Sequence, residues 1–208
     1  MSLIQKIAVE LSSAWWRLRY TADELIVLVD DKGIPIGVAP KLQSHNAETK
    51  LHLAFSIFLF NRRGEVLLQQ RAMTKNTWPG VWSNSCCGHV MLNESTEHAA
   101  ARRLKHELGL IADELLIVLP DFRYRAEKDG VVENEICPVL VGVCDSDPAP
   151  NASEVADYRW IDWNDFVSSL DDPDHELSPW AVEEVRLLAA SETFRRWFAG
   201  HIPGVSSV

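Results

Sequence analysis

Gly88-His89-Val90-Met91-Leu92-Asn93-Glu94-Ser95-Thr96-Glu97-His98-Ala99-Ala100-Ala101-Arg102-Arg103-Leu104-Lys105-His106-Glu107-Leu108-Gly109-Leu110 reads as a loop, a helix and a stop. The spacing predicts a helix over residues 93–108. Asn93 or Ser95 offers the N-terminal cap, Ala100, Leu104 and Leu108 form an apolar stripe, and Gly109 ends the run. On that helix Arg103 and Glu107 fall one turn apart on one face. Such a spacing serves a surface ion pair worth about 0.3–0.5 kcal/mol as readily as a ligand site.

Just before the helix stands Asn84-Ser85-Cys86-Cys87-Gly88-His89, and further on Glu133-Asn134-Glu135. The period of a strand puts Glu133 and Glu135 on one face and Asn134 on the other. Carboxylates so close repel, and a divalent cation or a shared proton relieves them, with His89 a further ligand. Extended backbone through residues 87–89 also points Cys87 and His89 the same way. Cys86 then points oppositely and reads as buried packing, so Cys87 is the thiol expected at the site.

Outward from these segments, strands are expected over residues 24–29 and 34–39 around the turn at Asp30-Asp31-Lys32-Gly33, and over 51–60 and 65–70 around Asn61-Arg62-Arg63-Gly64. Further strands are expected over 115–119, 131–143 and 157–161, with a turn at Lys128-Asp129-Gly130 and a surface loop over 148–153. Helices are expected over 163–170 and 179–198, and an amphipathic one lies near the N-terminus, with Leu3, Ile4, Ile7, Leu11 and Trp15 in rhythm. Strands interleaved with helices predict an α+β fold, a mixed β-sheet sandwiched between helices, with N-terminal and C-terminal helical additions. The expected division is residues 1–22 as an N-terminal helical extension, 23–198 as the main domain and 199–208 as a tail.

At 208 residues, 47% apolar and 24% charged, the chain is sized for one packed core. A net charge of −10 argues against general nucleic-acid binding, while leaving room for a local basic site for a small anion. The four cysteines form no Cys-X-X-Cys unit, which points to a reducing compartment. No signal-peptide core and no apolar run of roughly 18 residues is present, so a cytoplasmic protein without membrane contact is expected.

The 88–110 stretch resembles the Nudix box, with two departures: Arg102-Arg103 stands where that pattern has Arg-Glu, and His106-Glu107 where it has Glu-Glu. Hydrolytic members of that superfamily hold magnesium ions on those carboxylates around a diphosphate, so the departures point away from pyrophosphate cleavage. With Leu51-His52-Leu53-Ala54-Phe55-Ser56, Trp78-Pro79-Gly80-Val81-Trp82, Cys87-Gly88-His89, Asp121-Phe122-Arg123-Tyr124-Arg125, Val132-Glu133-Asn134-Glu135 and Ser178-Pro179-Trp180, the chain resembles the type I isopentenyl-diphosphate isomerases over residues 25–180.

That resemblance implies a Nudix-like fold and the interconversion of isopentenyl and dimethylallyl diphosphate through a tertiary carbocation. It implies a metal site of His45, His52, His89, Glu133 and Glu135, whose imidazoles suit Zn²⁺ or Mn²⁺ better than Mg²⁺. It also implies phosphate contacts at Lys41, Arg71, Lys75 and Arg103, with Mg²⁺ bridging the diphosphate to Glu107. Cys87 and Glu135 become the proton-transfer pair, with Tyr124 hydrogen-bonded to Glu135 and Trp180 facing the cation. His98, His106, His175 and His201 match no ligand position. The expected partner is a small diphosphate, and the chain a monomer or weak homodimer. Two other readings stand beside this one: a Nudix pyrophosphohydrolase using Glu94 and Glu107, and a non-catalytic module that binds a phosphorylated ligand.

Overall fold

The computed structural model describes residues 9–10, 14, 21, 25–172, 176–202 and 204. The N-terminal helix expected within residues 1–22 lies outside them, apart from Val9, Glu10 and Ala14, which are helical, and Thr21; His175 lies outside them too. Eleven strands join into one sheet around β3 (His52–Phe60), whose neighbours are β1 (Leu25–Val29), β4 (Glu65–Arg71), β6 (Cys86–His89), β9 (Val131–Ile136) and β10 (Val139–Val143). Around them lie β2 (Pro35–Pro40), β5 (Trp82–Ser83), β7 (Leu115–Leu119), β8 (Arg123–Lys128) and β11 (Val155–Asp162). The sheet is mixed, because β9 and β10 run parallel to β3 whereas β6, β1 and β4 run antiparallel to it.

Alternation along β3 decides what covers each face. Phe55, Ile57 and Leu59 pack with Ala99, Ala100, Leu104 and Leu108 of a helix, Thr96–Leu108. Phe58 and Phe60 point the other way, into a cluster with Trp163, Val185, Phe194 and Trp197 from three later helices, Trp163–Ser169, Pro179–Ala190 and Glu192–His201. A short helix, Lys41–Ser44, precedes all of these. In chain order the five are α1 to α5. Phe60 is ringed by Trp163, Phe194, Trp197 and Phe198 at centroid distances of 5.4–5.6 Å. Aromatic pairs of this kind each contribute about 0.5–1.5 kcal/mol beyond the area they bury. The expected sandwich of sheet between helices is what forms.

Helix α2 begins later than expected. Ser95 is the cap, accepting from the His98 amide at 3.2 Å, while Asn93 takes a left-handed φ of 68° in the loop before it. Gly109 closes the helix at φ 67°, where its amide donates to the Lys105 carbonyl. Two expected elements are each divided. The strand over 131–143 breaks after Ile136, because Pro138 has no amide hydrogen for a ladder; both halves keep one continuous register on β3. The helix over 179–198 breaks at Ser191, whose backbone is extended and whose hydroxyl caps α5 by accepting from the Phe194 amide; α5 then runs on to His201, past the expected end at residue 198. Residues 123–128, expected only as part of a motif, form β8. No helix among the described residues is long and apolar enough to cross a membrane.

Candidate active site

The centre of the sheet gathers the chemistry on one face. On β3, His52, Ala54 and Ser56 share a face by the two-residue period; β6 sets His89 beside Ala54 and Cys87 beside Ser56, and β9 sets Glu135 beside His52. On the far side of β9, Tyr124 of β8 stands opposite Glu135. Thiol and carboxylate thus arrive from strands on opposite sides of β3. Gly88 between the thiol and imidazole is required, since a Cβ there would meet the Arg103 and Phe55 side chains at 2.9 Å.

These groups open into a cavity of about 470 Å³. Twelve of the thirteen expected site residues line it: Cys87, Tyr124, Glu135, Trp180, Lys41, Arg71, Lys75, Arg103, Glu107, His45, His89 and Glu133. His52, the thirteenth, is fully buried and reaches the site from behind.

One nitrogen each of His45, His52 and His89 and one oxygen of Glu135 lie within 4.8 Å of one another. The Nδ1 atoms of His45 and His52 sit 2.7 and 2.8 Å from the Lys41 and Lys50 carbonyls, which makes each Nδ1 the donor and turns a bare Nε2 inward. His52 Nε2 is 3.2 Å from His89 Nε2, and each is 3.4 Å from Glu135 Oε1. His89 Nδ1 is buried with no hydrogen-bond partner. Converging lone pairs with a carboxylate and so few protons between them fit a divalent cation, and three imidazoles favour a borderline ion. Glu133 Oε2 lies 3.2 Å from His45 Nε2 without completing a hydrogen bond, at the edge of this group. Burial pulls His45 towards neutrality, but Glu133 outweighs it and raises its pKa; burial, with Lys41 and His52 nearby, holds that of His89 well below the ordinary value.

Cys87 is held differently. Its Sγ is 3.0 Å from Asn84 Oδ1 and 3.5 Å from Ser56 Oγ. Burial, helped by the charge of Glu184, pushes the thiol up to about 12, so it rests protonated. Glu135 rests ionised: burial opposes its charge, yet the His52 and His89 imidazoles, each 3.4 Å from its Oε1, hold it well below the carboxylate range. Tyr124 is kept a neutral phenol by burial and by Glu135 and Glu133. Its ring lies 5.5 Å from that of Trp180, whose Nε1 donates to Ser83 Oγ at 3.0 Å.

Lys41, Arg71, Lys75 and Arg103 share the cavity with Glu107 and Glu154. Arg103 grips Glu107 through Nε and Nη2 at 3.1 and 2.6 Å and reaches Glu154 at 3.0 Å, while Lys75 pairs with Glu154. Burial and the neighbouring Lys75 and Arg103 lower the pKa of Lys41. At this end of the cavity four basic side chains stand beside Glu107 and Glu154, while Glu133 and Glu135 belong to the imidazole group, so the basic cluster is where an anion would bind. Glu94, by contrast, is tied to Arg102 at 2.8 and 2.7 Å and does not line the cavity.

Three residues at or beside the site went unassigned in the sequence. Glu154 sits in a loop that carried no motif. His106, which matched no ligand position, lines the cavity 3.5 Å from Glu154. Glu184 is fully buried behind Cys87, and neither of its oxygens has a hydrogen-bond partner; burial and Glu135 raise its pKa well above the ordinary value. It lies one helical turn beyond Trp180, and that spacing was the available signal.

A family model for the NUDIX domain matches residues 50–181. The chain is 50% identical over 163 residues to an isopentenyl-diphosphate Delta-isomerase of Saccharopolyspora erythraea, covering 78% of this chain and 84% of that protein. It is also 50% identical over 169 residues to a protein of the same name from Mycolicibacterium vanbaalenii, covering 81% and 93%. Among solved structures it is similar to a Deinococcus radiodurans protein, with a TM-score of 0.62 and 18% identity over 79% of this chain and 98% of that one, a likeness of fold alone.

Proposed function

The chain belongs to the Nudix family and, within it, to the isopentenyl-diphosphate Delta-isomerases, and from that premise we propose that it interconverts isopentenyl diphosphate and dimethylallyl diphosphate. The observation that carries the reading is that a thiol, Cys87, and a carboxylate, Glu135, are brought to one cavity from opposite sides of β3, with a basic cluster in the same cavity.

The reaction adds a proton at C4 of the alkene and removes another from C2, passing through a tertiary cation at C3. One group must give a proton while the other takes one. With the thiol protonated and the carboxylate ionised, the resting protein is set for the return direction: Cys87 gives its proton to C2 and Glu135 takes one from the methyl group. Conversion of isopentenyl diphosphate starts from the other tautomer, with the proton on Glu135 or relayed by Tyr124 and Cys87 as thiolate. Trp180 and Tyr124 exclude water from the C3 cation, and an indole face stabilises such a charge by about 0.5–2 kcal/mol.

Lys41, Arg71, Lys75 and Arg103 bind and orient the diphosphate, the arginines through their flat fork. His45, His52, His89 and Glu135, with Glu133 beside them, suit Zn²⁺ or Mn²⁺, and Glu107 suits a Mg²⁺ that arrives with the diphosphate. When bound, these ions supply positive charge that makes the acid form of Glu135 stronger and neutralises the phosphates.

The engagement of Glu94 by Arg102 supports isomerisation over hydrolysis, because the hydrolytic reading needs Glu94 free for magnesium. Incubating the pure protein with isopentenyl diphosphate, Mg²⁺ and Zn²⁺ should yield dimethylallyl diphosphate. Release of inorganic phosphate or pyrophosphate in its place sinks the reading.

A further inference from the structure

The Trp78-Pro79-Gly80-Val81-Trp82 motif has no part in the chemistry above, yet it ends a loop that touches both halves of the cavity. Residues 72–81 leave β4 at Arg71 and return to β5, and the backbone closes the loop at its base: the Arg71 amide donates to the Val81 carbonyl at 3.0 Å and the Gly80 amide to the Arg71 carbonyl at 3.1 Å. Inside the loop the Arg71 guanidinium donates from Nε to the Thr77 and Trp78 carbonyls at 3.2 and 3.1 Å. Its Nη2 donates to the Thr77 carbonyl and hydroxyl at 2.7 and 3.0 Å.

Those bonds hold a conformation that the chain does not adopt by preference. Trp78 has a φ of 52°, a left-handed backbone that a bulky residue takes only when its surroundings over-determine it. The consequence is that its indole stands edge-on to Trp180, with centroids 5.2 Å apart and planes at 86°, while the Lys128 ammonium covers the Trp78 ring at 5.6 Å. The same loop presents Lys75 and Thr77 to the cavity. One bracket of chain thus carries a phosphate ligand and the support of the indole that faces the alkene, and Arg71 joins the two.

Resting on the isomerase reading, we propose that Arg71 is a positioning residue as well as a phosphate ligand: by fixing the Thr77 and Trp78 carbonyls it lets the bound diphosphate hold Trp78 against Trp180, and so sets the wall of the alkene pocket. Diphosphate binding is then spent on the chemical step as well as on affinity. Lysine at position 71 keeps the charge but has no planar fork to bridge two carbonyls.

The test measures kcat and KM for isopentenyl diphosphate, and inorganic pyrophosphate binding by calorimetry with Mg²⁺, in wild type, Arg71→Lys, Trp78→Phe and the double variant. Trp78→Phe should bind pyrophosphate as wild type does and lose about tenfold in kcat, with KM little changed. Arg71→Lys should weaken pyrophosphate and lose about as much in kcat at saturation, and the double variant should be no slower than Arg71→Lys within about twofold, because both changes break one device. A rise in KM alone for Arg71→Lys, or kcat losses that multiply in the double variant, overturns the proposal. Trp78→Tyr replaces Trp78→Phe under the same criteria if the latter fails to fold. If the wild type does not isomerise, the isomerase reading falls, and the bracket is judged by amide exchange over residues 77–80. Pyrophosphate must then slow that exchange in wild type but not in Arg71→Lys, and equal slowing in both overturns it.

Discussion

The Cys87 thiol faces the side-chain oxygen of Asn84 across 3.0 Å, and that oxygen cannot turn away, because the Asn84 amide nitrogen is committed to the Ile57 and Cys86 carbonyls at 3.1 and 3.0 Å. An acceptor fixed opposite sulfur stabilises S–H and does nothing for a thiolate. Burial, with the charge of Glu184 beside it, pushes the thiol up to about 12, so in the metal-free protein it keeps its proton well past neutrality. Iodoacetamide labelling of Cys87 in metal-free protein, followed by peptide mass spectrometry, should accelerate by about tenfold per pH unit from pH 7 to 10 without levelling, as thiolate reactivity requires. A plateau near pH 8–9 would contradict this setting of the thiol.

Cys86 and Cys87 point to opposite sides of β6, the first into the packing under α2 and the second towards the cavity. Cys87→Ala should retain its fold and its metal and lose about 10²–10⁴-fold in turnover, the usual contribution of one positioned proton-transfer group. In D₂O it should also fail to exchange at C2, while still folding normally. Cys86→Ala should lose stability, about 0.5–3 kcal/mol in the range of core truncations, and keep its activity. Equal activity losses in the two variants would be incompatible with this division.

The four-donor group around Glu135 predicts a metal-dependent fold as well as a metal-dependent activity. Stripping by a strong chelator should abolish turnover, and returning Zn²⁺ or Mn²⁺ at about a hundredfold over the dissociation constant should add about 2.7 kcal/mol to stability. Differential scanning calorimetry of a His52→Ala/His89→Ala double variant should show none of that gain. An identical gain in the variant would place the ion elsewhere.

Glu154 gives a pH dependence whose sign is fixed. Burial disfavours its charge, but Lys75 and Arg103 lower its pKa from 4.5 to about 2. The stabilisation is complete above the unfolded value near 4.5 and disappears as the pH falls towards 2, with a ceiling of about 3 kcal/mol. Urea unfolding should show Glu154→Gln less stable than wild type at pH 6, with the gap closing between pH 4.5 and 2. A gap that widens on acidification would reverse the assignment.

Much of this was legible because the informative residues sit in regular elements with strict periods. The Ser95 cap, the Gly109 stop and the apolar stripe of α2 fix one layer of the fold locally, and residues 87 and 89, like 133 and 135, share a face by strand geometry alone. What pairs those two strands across β3 is a long-range register, and only the family resemblance supplied it. Glu184 was missed because Glu183-Glu184 looks like an exposed helix face until α4 is docked, when the second of the pair turns inward with Trp180. The break at Pro138 was visible in the residue type itself, but the apolar run on either side masked it. Ser191 is an ordinary helix cap whose effect depends on how α5 folds back on the aromatic cluster.

Strand β3 hydrogen-bonds to five other strands, two of which arrive from the second half of the chain. Contacts so distant in sequence make loop closure the slow part of folding. His45, His52 and His89 leave the ribosome long before Glu135, and Trp180 follows later still, so the site is one of the last parts of the molecule to be completed. Substitutions that hinder the docking of β9 and β10 on β3 should therefore lower the yield of active molecules during refolding, while each molecule that does finish works at the normal rate.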